Sequence, residues 1–176
     1  MIDVEVKEPK ARVEIVLKNA MMCGFFVMAC FLIIGMVGFP IAKNFQTISF
    51  TLFGVFLLLM LITQIQVRIQ CYDGALSYGK AFTTGMLVSG IVIFMITLFY
   101  IIFFGLIATH VPEEMKALQI QKMTEMGTSF KDATDQIEQA SFFLSPLGLG
   151  FINFIFYNIA AFILSLIASI FTQRIL

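Results

Sequence analysis

Four long stretches of this chain hold no Asp, Glu, Lys, Arg or His: Asn19–Ala42, Asn44–Val67, Ala81–Thr109 and Gln139–Gln173. A helix needs about 20 apolar residues to cross the hydrocarbon core of a bilayer. A charge near the middle of such a helix costs roughly 2.5–3.5 kcal/mol, so unbroken runs of this length are diagnostic. They predict four spans, near 20–40, 47–67, 82–107 and 148–171. The remaining composition agrees, with 12% charged residues against about a quarter in a soluble domain. The expected class is an all-α membrane protein, a four-helix antiparallel bundle whose first partner is the lipid bilayer. A net charge of zero supplies no basic field for nucleic acid.

Residues 1–18 form a distinct charged segment, with four acidic and four basic side chains. Pro9 suits the first turn of a helix, and Val13, Val16, Leu17 and Ala20 then share a face. A short amphipathic helix running straight into span 1 is expected. The apolar run that follows is 24 residues long, beyond the 7–15 of a cleaved signal sequence, so a retained anchor is expected. Residues 19–176 then make one transmembrane domain.

Gly38 and Pro40 predict a tight turn between spans 1 and 2, hence an antiparallel hairpin. The connection from 109 to 146 is longer and reads as helical. Pro112 followed by Glu113 and Glu114 opens a helix well, because proline fits the first turn and carboxylates favour its positive end. Met115, Leu118, Met123 and Met126 lie on one side, and Gly127 supplies a stop. Ser129 with Asp132 resembles a capping box, and Phe130, Ala133, Ile137 and Ala140 line one side of a second helix. Ser145-Pro146 ends it. Both helices are expected to lie at the membrane surface.

With four spans, both termini share a side with the central polar strip. That side carries Lys7, Lys10, Arg12, Lys18, Arg68, Lys80 and Arg174. The other carries Lys43, Lys116, Lys122 and Lys131, and its long connection also has six carboxylates. The excess of Lys and Arg predicts cytoplasmic termini and an extracytoplasmic connection at 109–146.

Helices in lipid approach closely through small residues. Ala81, Gly85 and Ser89 recur every four residues on span 3, and Ala161, Ser165 and Ser169 do the same on span 4. The two stripes predict close packing between these spans. No repeat relates the two hairpins, so an inverted-repeat transporter gains no support.

Intramembrane polar groups point to function when they occur, and here they are sparse. Asn153 and Asn158 lie on span 4. Asn158 either touches a translocated polar ligand or makes an interhelical hydrogen bond of about 1 kcal/mol, the second being expected. Gln64 and Gln66 are expected at the interface. His110 is the single histidine, without the partners of a metal site or a triad. Glu113 and Glu114 are adjacent and point to different sides of a helix, which does not suit an acid–base pair. Scattered methionines do not make a soft-metal site. Cys23 and Cys30 share a face but stand about 10 Å apart along a helix, too far for a disulfide. No catalytic, metal or cofactor-binding residue is read, and no cofactor is expected.

The strip from Arg68 to Phe82 separates the two hairpins. Asp73-Gly74 signals a turn, Ser77 can cap span 3, and Arg68 and Lys80 can anchor helix ends among headgroups. The same residues, with Tyr72, could dock a partner. The segment Tyr72-Asp-Gly-Ala-Leu-Ser-Tyr-Gly-Lys-Ala-Phe82, together with the Pro112-Glu-Glu connection, resembles a bacterial four-helix membrane family known only as domain of unknown function number 4199. The resemblance runs from about Lys10 to Arg174. It implies a multi-pass protein of the inner membrane of a Gram-negative cell and assigns no activity.

Two functions fit. One is a non-catalytic accessory or structural subunit of a larger membrane complex, or a self-associating protein. The other is a carrier for an amphipathic or lipid-linked substrate, for example in glycan or envelope biogenesis, using Asn153 and Asn158. Asn153, Asn158, Arg68, Tyr72, Asp73 and Lys80 are the candidate partner or ligand contacts.

Overall fold

The computed structural model describes residues 4–172. Its elements are α1 (Val4–Met36), α2 (Ile41–Tyr72), α3 (Tyr78–Ile102), α4 (His110–Glu125), α5 (Phe130–Gln139), α6 (Ser141–Leu144) and α7 (Pro146–Thr172), with one π-helical turn at Phe103–Ile107. Four helices are long and apolar enough to cross a membrane: Lys10–Met36 of α1, α2, Tyr78–Ile107 and α7. All regular structure among the described residues is helical. The chain is a multi-pass helical membrane protein.

Helix ends follow local chemistry. Gly38 adopts φ +73°, a conformation open to glycine without penalty, so α1 stops at Met36 and Phe39 and Pro40 lie in the turn. The expected span of 20–40 is therefore displaced toward the N-terminus. The helix also starts at Val4, ahead of Pro9, and is one continuous rod. Of the N-terminal face read from the sequence, Val16 and Ala20 are buried, while Val13 and Leu17 are exposed. Residues 1–3 and 173–176, including Arg174, lie outside the described residues.

At a rise of about 1.5 Å per residue, α2 is long enough to project past the hydrocarbon at both ends. It closes on Asp73 at φ +46° and Gly74 at φ +88°, and the Gly74 N–H turns back to the Arg68 carbonyl at 2.9 Å. Ser77 stands at the start of α3, but its hydroxyl makes no capping bond. Ser129 does cap α5: its Oγ accepts from the Asp132 N–H and donates to the Asp132 carboxylate. Ser145 Oγ accepts from the Gly148 N–H at 3.1 Å and starts α7, with Pro146 in its first turn.

Helix α3 packs on α1, α2 and α7, and its contact with α7 is the most extensive. Chemistry divides the bundle along its length. At the end nearer α4–α6, aromatic rings fill the centre: Phe31 sits 5.0 Å from Tyr100 and 6.1 Å from Phe103, and Phe45 lies 5.8 Å from Phe104. These edge-on pairs suit ring quadrupoles. At the end nearer the central strip, small and polar residues replace them. The outer faces, among them Phe25, Phe94, Phe162 and Ile167, are apolar and exposed to where lipid would lie.

Candidate functional site

The small-residue stripes meet at the strip end of the bundle. Ala81, Gly85, Ser89, Ala161, Ser165 and Ser169 are all buried. A Cβ on Gly85 would stand 2.6 Å from Gln64 Nε2 and 2.9 Å from Ser165 Oγ. The gap is thus closed by side-chain atoms of α2 and α7, polar ones first. Gln64 Nε2 donates to the Ala81 carbonyl at 3.1 Å, and Gln64 Oε1 accepts from Thr172 Oγ1 at 3.1 Å. Ser165 directs its hydroxyl at the Met60 sulfur, and Ser89, near the same sulfur, donates to the Gly85 carbonyl at 2.8 Å. Gln64 is fully buried within the bundle. The glycine opposite gives its amide room, and the ends of α3 and α7 supply partners. Gln66 is half-buried and accepts from Asn19 Nδ2 at 2.6 Å.

The strip residues are engaged within the chain. Arg68 Nη1 donates to the Thr172 carbonyl at 3.1 Å, in the last described turn of α7. The Lys80 ammonium stands 4.1 Å from the centre of the Tyr72 ring, within cation–π range. Asp73 forms the left-handed turn. Asn158 is half-exposed midway along α7, and its Nδ2 donates to the Phe154 carbonyl one turn back. The interhelical hydrogen bond expected of Asn158 does not form, because the amide sits at the flank of the α7 packing face.

Asn153 lies elsewhere, in a groove of about 320 Å³ between α2, α4 and α7 at the end opposite the strip. Each wall comes from residues one or two turns apart. Helix α2 gives Lys43, Gln46, Ser49 and Phe50, α7 gives Ile152, Asn153, Phe156 and Tyr157, and α4 gives Met115, Gln119 and Lys122. Asn153 and Ser49 are each 8% exposed and form the floor. Asn153 Nδ2 donates to the Leu149 carbonyl, which leaves its Oδ1 as the acceptor on offer. The Ser49 hydroxyl approaches those of Tyr100 and Tyr157, yet completes no hydrogen bond of good geometry. Toward the bilayer the walls become aromatic: Phe50 and Phe156 are in edge contact at 6.3 Å and remain about half exposed. A second hollow, near Gly35, Phe39 and His110, lies between the α1–α2 turn and the start of α4. Among the described residues no group of three His, Cys, Asp or Glu side chains could hold a metal ion.

The groove was not anticipated from sequence, Asn153 apart. A signal existed: Gln46 and Ser49, Gln119 and Lys122, and Asn153 and Tyr157 are polar pairs at helical spacing. What sequence could not supply was the return of α4 across the ends of α2 and α7.

A sequence model of the family described as "Protein of unknown function (DUF4199)" matches residues 18–174, almost the whole chain. The chain belongs to this family. Neither the curated proteins nor the solved structures give a match. In this DUF4199 member the matched region holds most of the first span, the other three spans, the strip network and the groove.

Proposed function

We propose that this protein is a non-catalytic integral membrane protein that holds an amphipathic ligand in the groove between α2, α4 and α7. The carrying observation is the groove's gradient. Its mouth and floor are polar, with Lys43, Gln46, Ser49, Asn153 and Gln119, while its bilayer side is Phe50, Ile152 and Phe156. Ligand sites of about 300–1,000 Å³ commonly join an apolar wall to a few placed polar groups. The volume here suits the head of an amphiphile whose tail stays in lipid. The family resemblance implies a bacterial inner membrane, and the Lys and Arg asymmetry favours termini and strip in the cytoplasm with the groove at the opposite face. Extraction in polymer-bounded native discs, followed by lipid mass spectrometry, tests the reading. One amphipathic species should be enriched over the bulk membrane, and Gln46→Trp, at an exposed rim position, should remove the enrichment without lowering thermal stability. Discs of bulk composition around the native chain contradict it.

A second reading, as an accessory subunit of a larger complex or a self-associating protein, is favoured by Asn158. A half-exposed amide midway along a spanning helix is better accommodated against a second helix than against lipid tails. Crosslinking through α7 in native membranes tests this: a discrete adduct from Asn158→Cys, absent from Phe94→Cys on another exposed face, supports it.

A further inference from the structure

The groove's charge points to the class of ligand, an inference that rests on the reading of the groove as a ligand site. Lys43 stands in the first turn of α2 and Lys122 in the last turn of α4, and both line the same hollow. The first turn of α2 contains no carboxylate and has no capping side chain, since Pro40 occupies the cap position. Helix N-termini leave backbone N–H groups unsatisfied and carry partial positive charge. In α2 that end is paired with a lysine instead of an acid. Lys116 is bonded to Glu113 at 2.6 Å, whereas neither Lys43 nor Lys122 forms a salt bridge among the described residues. A carboxylate, Glu125, lines the adjoining hollow and accepts from Gln121. Below the lysines, the Asn153 amide lines the same hollow with its Nδ2 already bonded to the Leu149 carbonyl.

We infer that the groove binds the phosphate-bearing head of an anionic phospholipid. Its phosphate lies between Lys43 and Lys122 over the first turn of α2, its remaining hydroxyls meet Asn153, and its acyl chains pass over Phe50 and Phe156 into the bilayer. A lipid is favoured over a soluble phosphate because the apolar wall continues from the polar mouth to the exposed aromatic faces. A free anion would leave that wall unused.

The test uses the full chain in phosphatidylcholine vesicles containing a trace of photoactivatable phosphatidylglycerol or, in parallel, photoactivatable phosphatidylcholine with the same chains. Labelled peptides are mapped by mass spectrometry. The peptides bearing Phe50 and Phe156 should be labelled preferentially by phosphatidylglycerol, while Phe94, on an open face, should show no preference. A lysine near a membrane surface contributes about 1 kcal/mol toward anionic lipid, or roughly fivefold. Lys43→Gln and Lys122→Gln should each cut the preference about fivefold, and Lys43→Arg should retain it. Groove labelling that is equal for the two lipids would overturn the headgroup assignment and leave the groove reading standing. Groove labelling no stronger than at Phe94 for either lipid would overturn both. Loss of the preference in millimolar inorganic phosphate, at constant ionic strength, would assign the site to a free anion and also overturn the lipid assignment.

Discussion

Arg68 reaches across the strip end of the bundle to the last described turn of α7, its Nη1 donating to the Thr172 carbonyl at 3.1 Å. The same turn offers the Thr172 hydroxyl to Gln64. Two side chains of α2, one turn apart, therefore tie down the end of a helix more than one hundred residues later. The hairpins α1–α2 and α3–α7 are locked by polar atoms at one end and by aromatic rings at the other.

Removing the guanidinium takes away the donor to the Thr172 carbonyl. Arg68→Met should destabilise the bundle by about 1–2 kcal/mol, and Arg68→Lys should recover part of the loss. Thermal unfolding in detergent, followed by the helical dichroism signal, measures both.

Gly85 and Gly90 lie on the same helix and should respond oppositely. A Cβ at Gly85 meets Gln64 and Ser165, whereas one at Gly90 meets nothing within 4 Å. Gly85→Ala should cost about 1–3 kcal/mol by forcing α3 from α7. Gly90→Ala should be neutral or stabilising by up to about 1 kcal/mol, since alanine orders more readily in a helix. Equal effects in an unfolding assay would refute the close approach.

Gln64→Leu removes the bonds to the Thr172 hydroxyl and to the Ala81 carbonyl together. Bonds of this kind in membrane bundles average about 0.6 kcal/mol, so a loss near 1 kcal/mol is expected. A double-mutant cycle with Thr172→Val should show coupling. Strict additivity would mean that the two side chains do not interact.

The proposed orientation makes a separate prediction. In a background where Cys23, Cys30 and Cys71 are replaced, a cysteine at Ser129 should react with a membrane-impermeant thiol reagent applied to spheroplasts. One at Ser77 should react only after lysis. The reversed pattern would place the groove on the cytoplasmic face.

The four spans and both hairpins were legible because lipid punishes charge, and the charge-free runs mark where a helix must be. Helix ends were less so. Span 1 stops four residues early because Gly38 takes a positive φ, and α2 runs on to Tyr72 because the turn after it folds back onto Arg68. The burial of Gln64 could not be read from hydropathy, which assigns every glutamine to the surface. Only the pairing of Gln64 with a glycine on another helix makes room for it. The groove is the extreme case. Lys43 and Lys122 are far apart in sequence, and their approach depends on α4 turning back over the bundle after the π-helical turn at Phe103–Ile107.

The most direct test of the groove as a ligand site is an experimental structure of the chain in discs formed from its own membrane. The account predicts ordered density between α2, α4 and α7, with a head beside Lys43 and Lys122 and a tail running over Phe50 and Phe156. A groove closed by its own side chains, or one filled only by disordered solvent while lipids order elsewhere, would contradict it.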